Sequence, residues 1–320
     1  MSHRNPQRAV DAIRERTQFP CIAQPKVDGV RGVHMIEGQF TARSLKPFKN
    51  KRLTKWWSNK AFYGLDGELV SPDLSWTHPA LCRTTTSITN TIDSRQVPNL
   101  IAFDYVTGAT YDKPYERRYK VLEKLVGQLR ARLEDDGLEE RIQLMPFVVL
   151  RDMAALEEYV AQNREQGYEG TIIRNARAPF KSGDSGLGME LWRIKDRLDF
   201  EIIVTRLVEA MENRNEAKVN ALGKTERSSH KENKVGKGMV GMIQGKVIKD
   251  VKWQGKLLFP KGMLIDVGPG EMDHPTRARY WKRPELIVGK PGKVAVQPYG
   301  TKDKPRQPIW LAERAQEDMV

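Results

Sequence analysis

At 320 residues and 36.6 kDa, with 39% hydrophobic and 30% charged residues, the chain is long enough for two domains and rather polar. No apolar run approaches the roughly 20 residues of a membrane span, the opening Met1–Pro6 lacks the core of a secretion signal, and the expectation is a cytoplasmic protein without a membrane partner. The two cysteines, Cys21 and Cys82, lie far apart, which argues against a zinc module or disulfide scaffold, while a net charge of +13 favours a polyanionic partner, most commonly nucleic acid.

In chain order, Asn5-Pro6 reads as a cap and first-turn pair for a helix from Pro6 to about Arg16. Phe19 to Ala23 lead into a strand that ends at Lys26, and further strands follow at Val33–Ile36 and Gln39–Arg43. Asp66-Gly67 reads as a turn entering a strand through Val70, and Leu100–Val106 as an apolar strand. Tyr119, Leu122, Leu125, Val126, Leu129 and Leu133 repeat at helical spacing between Pro114 and Asp135. A strand over Ile142–Leu150, a helix from Asp152 to Gln166 and strands at Gly170–Arg174 and Glu190–Lys195 complete an α+β region. Beyond Asp196–Asp199 the pattern changes to short strands at Phe200–Val208, Met239–Ile248, Lys256–Leu258, Met263–Val267, Val294–Pro298 and Ile309–Ala312 around one helix, Asp273–Lys282. That number of strands in so short a region predicts a small β-barrel. Asn213–Gly238, polar and rich in Lys and Arg, reads as a long, mobile basic loop, with Lys224, Arg227, Lys231, Lys234 and Lys237 as candidate DNA contacts.

One stretch stands out: Lys26-Val27-Asp28-Gly29-Val30-Arg31, preceded by Gln24. By itself it reads as a hairpin with an Asp-Gly turn and an exposed lysine. It is followed in order by Ala42-Arg43-Ser44, Leu65-Asp66-Gly67-Glu68-Leu69, Ala102-Phe103-Asp104, Tyr168-Glu169-Gly170-Thr171-Ile172-Ile173 and Leu191-Trp192-Arg193-Ile194-Lys195. This series resembles the nucleotidyltransferase core, ATP-grasp-like in fold, that ATP-dependent DNA ligases share with RNA ligases and mRNA capping enzymes. The tail from Arg306 to Arg314 resembles the last motif of small two-domain phage DNA ligases. The resemblance implies an adenylation domain over residues 1–197 and an OB-fold over 198–320.

It also implies an activity: sealing nicks in duplex DNA, with ATP and Mg²⁺, through AMP carried covalently on Lys26; apart from the resemblance, the lack of extra interaction domains suggests a monomer. A lysine amine attacks a phosphate only when neutral, and neighbouring cations favour that form. Arg31, Arg43, Arg193 and Lys195 are expected to supply this field and to bind phosphate oxygens. The resemblance further implies nucleotide contacts from Gln24, Val27, Glu68 and Phe103, a metal site at Glu169 and Asp28, and pyrophosphate orientation by Arg306 and Arg314. Two residues depart from the family pattern: Gln24 stands where a glutamate is usual, and Arg193 where a lysine is usual. Capping guanylyltransferase, RNA ligase and a decayed nucleic-acid-binding protein stand as alternatives. The 25 residues before Lys26 and the two cysteines speak against the NAD-dependent ligases, which carry an extra N-terminal domain and a four-cysteine zinc module.

Overall fold

The computed structural model describes residues 5–36, 38–219, 225–228, 230–300 and 303–314, so Lys224 lies outside the described residues. The chain divides into two compact units, residues 1–195 and 196–320.

The first unit is built on two five-stranded sheets. One has the order Val10–Asp11, Trp192–Lys195, Gly170–Arg174, Cys21–Lys26, Val148–Leu150. The other has the order Gln39–Ala42, Val30–Ile36, Leu65–Val70, Asn99–Tyr105, Ile142–Leu144. Helix Met153–Glu165 starts where the Asp152 side chain accepts from Ala155 N at 2.9 Å, and it covers the first sheet. Leu156 and Val160 pack there on Cys21, Ala23, Ile173 and Trp192. Helix Tyr115–Glu134 covers the second sheet with the apolar stripe that its 3.6-residue period places on one side. Tyr119, Leu122, Val126 and Leu129 pack on Leu65, Leu69, Leu100 and Ile142.

Two expectations for this unit are corrected. Residues Pro6–Arg16 form no α-helix: Gln7–Arg8 and Val10–Asp11 are strands, and Arg14–Arg16 is one 3₁₀ turn. The segment lacks an apolar helical period, and parallel pairing with Gly183–Asp184 and Trp192–Arg193 satisfies its backbone instead. The strand over Ile142–Leu150 is broken at Met145-Pro146-Phe147 into two pieces that join different sheets. Two helices without a strong sequence signal, Lys51–Trp57 and Leu81–Asn90, lie between strands of the second sheet.

The second unit is an antiparallel sheet in the order Leu264–Val267, Lys234–Val247, Leu198–Asn213, Pro291–Gln297, Arg306–Glu313. The ladder is open. Its outer strands meet at a bridge where Gly268 N donates to Pro308 O and Trp310 N donates to Gly268 O, both at 2.9 Å. Helix His274–Lys282, capped by Asp273, packs Tyr280 into the core with Phe200, Ile202, Val240, Phe259, Val294 and Trp310. Gly292 is required there, since a Cβ would stand 1.9 Å from the Trp310 ring.

The basic segment 213–238 is corrected too. Ala217–Val219 pairs with Thr225–Arg227, and the long strand beginning at Lys234 runs through its end. Asn215 Nδ2 donates to Ser228 O at 3.0 Å and to His230 O at 2.8 Å, which pins the base of this hairpin.

His34 is fully buried in an aromatic setting, edge-on to Phe40 and Tyr63. Burial pushes its imidazole down to about 4. Between about pH 6.5, the unfolded value, and pH 4, the unfolded chain binds a proton that the folded chain refuses, so stability falls as pH falls. In urea titrations at pH 7 and pH 5, His34→Leu should lack this residue's share of the slope, about 1.4 kcal/mol per pH unit.

Candidate active site

The site lies where the chain leaves one sheet of the first unit for the other. Strand Cys21–Lys26 ends, Val27–Gly29 cross over, and strand Val30–Ile36 begins in the second sheet. The two strands do not pair with each other, so the Asp-Gly turn is a crossover and not a hairpin. Gly29 is needed because a Cβ would sit 2.2 Å from the Leu69 carbonyl oxygen.

Side chains alternate along a strand. Cys21 and Ala23 face helix Met153–Glu165, which puts Gln24 and Lys26 on the other face. In the ladder Lys26 stands opposite Gly170, and Gly170 opposite Lys195. Gln24 stands opposite Ile172, and Ile172 opposite Arg193. Gly170 permits a close backbone approach, since a Cβ would lie 2.2 Å from Ile194 O. Glu169, one residue earlier, reaches both lysines: Oε2 accepts from Lys26 Nζ and Oε1 from Lys195 Nζ. The carboxylate is 2% exposed and the lysines 21% and 22%.

Burial raises the Glu169 carboxyl, but the two ammonium groups outweigh it and hold the group at about 2. At Lys26 burial acts downward, yet Glu169, Glu68 and Asp28 together lift it above the ordinary lysine value. At Lys195 burial and the Lys26 charge prevail over Glu169 and lower it. Glu68, across the ladder from Arg31, is pushed up to about 7 by burial.

The expectation of a cationic field around Lys26 is therefore corrected: carboxylates dominate its surroundings. Arg31 is engaged by buried Asp66, with Nε to Oδ1 at 2.7 Å and a second nitrogen to Oδ2 at 2.6 Å, and its guanidinium lies 4.9 Å from the Phe103 ring centroid. Arg193 donates to Asp11 at 2.6 Å, and Arg43 is exposed in the turn after Gln39–Ala42.

Gln24 is buried, its Nε2 donating to Met145 O at 3.4 Å. The Tyr115 hydroxyl donates to Phe103 O at 2.8 Å and lies 3.4 Å from Gln24 Oε1. Val27 packs with Val70, Leu81, Ile101 and Met145, and half-buried Phe103 joins that cluster. In the second unit, Arg306 and Arg314 begin and follow the same strand, roughly 25 Å apart at full extension. Arg306 donates to Tyr299 O at 3.4 Å, and Arg314 lies 3.9 Å from Glu201. Arg227, Lys231 and Lys237 are exposed and Lys234 half-buried in and after the hairpin.

Sequence reading missed a second charge centre. Arg118 grips Asp104 with two bonds of 2.8 and 2.9 Å, and Arg174 adds a third at 3.4 Å. Arg174 also lies 4.0 Å from the Tyr115 ring centroid. All three charged residues are essentially buried. Asp66 and Asp104 lay inside motifs already noted, but nothing in the local sequence marks Arg118, Arg174 or Tyr115 as their partners.

These features define a mixed α and β protein whose buried charges collect between two sheets. Residues 5–195 match the family model of the ATP dependent DNA ligase domain, and the chain belongs to that family. A solved structure of a Lig E DNA ligase is similar at 19% identity, covering 97% of this chain and 99% of that one, with a TM-score of 0.66. Pmar-Lig_Pre is similar at 15% identity, covering 97% of this chain and 67% of that one, also at 0.66. Chlorella virus DNA ligase-adenylate aligns at 21% identity over 97% of this chain and 98% of that one, at 0.49. No curated protein matches the chain. Family membership makes this an ATP-dependent DNA ligase, an enzyme that seals nicks by way of a lysyl-adenylate and uses Mg²⁺.

The carboxylates beside Lys26 fit such an ion. Asp28 and Glu169 offer hard oxygen donors, and Mg²⁺ is commonly held by one or two carboxylates together with phosphates. Among the described residues no cluster of three or more His, Cys, Asp or Glu forms a complete cage. No helix among them is long and apolar enough to cross a membrane.

Removing the Asp104 carboxylate leaves Arg118 and Arg174 buried without it. Asp104→Ala should destabilise the first unit by roughly 3–5 kcal/mol, read as a lower midpoint in chemical denaturation.

Proposed function

We propose that Lys26 is the nucleophile of the ligase reaction. Its Nζ, once deprotonated, attacks the α-phosphorus of ATP; the bond to the bridging oxygen breaks, pyrophosphate leaves and a lysyl-AMP phosphoramidate remains. The AMP then passes to the 5′-phosphate at a nick, and attack by the 3′-hydroxyl closes the strand and releases AMP. The observation that carries this reading is the Glu169 carboxylate shared by Lys26 and Lys195 at the crossover between the sheets.

Asp28 and Glu169 would hold Mg²⁺, which when bound supplies positive charge beside the reacting phosphates. Glu169 is the main anion keeping Lys26 protonated, so engaging it elsewhere favours the neutral amine. Arg31, Arg43, Arg193 and Lys195 bind phosphate oxygens. Glu68 meets the ribose, Phe103 stacks on the adenine, and Gln24 and Val27 line the base site. For Arg31 and Arg193, binding phosphate means sharing or leaving Asp66 and Asp11.

The second unit serves as an OB-type domain with an open sheet, a reading supported by its five strands and by the bridge between the outer two. Arg306 and Arg314 serve the leaving pyrophosphate as separate contacts, since their spacing along the strand opposes a single clamp. Asp196–Asp199, at the boundary of the two units, is the hinge. Lys224, Arg227, Lys231, Lys234 and Lys237 contact the phosphates of nicked duplex DNA. The enzyme works as a cytoplasmic monomer.

With ATP labelled on the α-phosphate, Lys26→Ala should carry no protein-bound label, and label retained by the variant refutes the nucleophile. Shortening the hairpin at 217–227 should weaken binding to nicked duplex about tenfold at moderate salt while sparing lysyl-AMP formation, as read by gel shift and labelling in parallel.

A further inference from the structure

One of the two departures from the family pattern has a partner 182 residues away in the chain. Arg193 stands where a lysine is usual, and its Nε donates to Asp11 Oδ1 at 2.6 Å. The contact is built into the sheet. Strand Val10–Asp11 is the edge strand beside Trp192–Lys195, with Val10 opposite Trp192 and Asp11 opposite Arg193. Ala12 N donates to Arg193 O at 2.9 Å and fixes that register. Residues opposite one another in a ladder share a face. Asp11, Arg193, Ile172 and Gln24 therefore form one row, next to the row of Lys195, Gly170 and Lys26. The alternate residues Val10, Trp192, Ile173 and Ala23 pack instead toward helix Met153–Glu165. Asp11 thus lies at the edge of the face that carries the two lysines.

The geometry separates this arginine from Arg31. Buried Asp66 takes Arg31 by Nε and one Nη together, which commits a whole edge of that guanidinium. Asp11 takes Arg193 by Nε alone, and among the described residues no other acceptor meets this guanidinium. Its two Nη groups keep their donors for a ligand, and a guanidinium edge matches a phosphate bidentately. A lysine ammonium has no second, fixed edge to offer once a carboxylate holds it. The segment around Asp11 has other anchors. Arg8 donates to Asp184 at 2.7 Å and Arg14 to Glu157 at 2.9 Å, and Gln7–Arg8 pair with Gly183–Asp184. With its side chains 35% and 67% exposed, the Arg193–Asp11 pair contributes little to folding.

We infer that Asp11 is a positioning residue for the nucleotide phosphates. Held through Nε, Arg193 presents its Nη pair along the face it shares with Lys26 and Lys195. Arginine replaces lysine here because it meets the carboxylate and a phosphate at once. The inference rests on the reading of Arg193 as a phosphate ligand and deepens it: the arginine shares itself between Asp11 and phosphate instead of leaving Asp11.

The test is equilibrium binding of an ATP analogue with a methylene group between the α- and β-phosphates, which cannot transfer AMP. It is measured with Mg²⁺ on full-length variants. Asp11→Ala removes the acceptor and should weaken binding about three- to fivefold, the scale of an exposed pair. Asp11→Asn keeps an oxygen for Nε and drops a negative charge beside the phosphates, so its Kd should equal or fall below that of the wild type. In an Arg193→Lys background, Asp11→Ala should weaken binding no further. Unchanged binding in Asp11→Ala overturns the inference, and a lower melting temperature in its place would mark the pair as structural. An equal loss in Asp11→Asn, or a further loss in the Arg193→Lys background, overturns it too. Arg193→Gln separates the two layers. If that variant binds the analogue as tightly as the wild type, the phosphate role of Arg193 falls and the role of Asp11 with it. If it binds weakly while Asp11→Ala binds normally, only the positioning role falls.

Discussion

A carboxylate held between two ammonium groups sets the electrostatics of the first unit. Glu169 meets Lys26 and Lys195 only because three strands lie side by side with glycine in the middle position. A side chain at Gly170 would push strand Trp192–Lys195 away, and the one anion reaching both lysines would lose its geometry. The arrangement has a chemical cost as well as a structural role. Buried like charges repel strongly in a medium of low polarizability, so both lysines depend on this carboxylate. It also keeps the Lys26 amine, proposed as the nucleophile, in its unreactive, protonated form.

The second charge centre governs the neighbouring elements. Asp104 belongs to strand Asn99–Tyr105, Arg118 to helix Tyr115–Glu134 and Arg174 to strand Gly170–Arg174, so one carboxylate joins a helix and both sheets. Tyr115 extends the connection through Phe103 O toward Gln24. Buried ion pairs of this kind seldom add net stability over an apolar core, because desolvation offsets their attraction. Their contribution is to define one arrangement, and here that arrangement positions the two residues, Gln24 and Phe103, proposed to meet the base.

Much of this was legible in the sequence, for identifiable reasons. Helices Tyr115–Glu134 and Met153–Glu165 announced themselves by periodicity and by the Asp152 cap. Lys26, Glu169 and Lys195 were legible through their motifs, and the structure brings them together. Other features depend on partners far away in the chain. Asn5-Pro6 looks like a helix start, but the residues after it pair with strands 176 to 182 positions downstream. The break at Pro146 looks like one strand because both pieces are apolar, and only the two-sheet architecture separates them. Helix Lys51–Trp57 was hidden by its brevity. The field at Lys26 was misjudged because sequence order names the cations without showing that Asp66 and Asp11 already engage two of them.

The bridge between Gly268 and Ile309 has a consequence for behaviour at high concentration. Outer strands usually offer unpaired amides and carbonyls to other molecules, and proteins suppress this by covering, charging or closing them. In the second unit, Gly268 spends both of its groups on the facing strand, its N–H on Pro308 O and its carbonyl on Trp310 N. Strand-by-strand stacking of copies is thereby blocked at this seam. The other end of strand Leu264–Val267 is less protected, with Leu264 63% exposed. Self-association of this unit, if driven by sheet extension, would start at Leu264 and stop at Gly268.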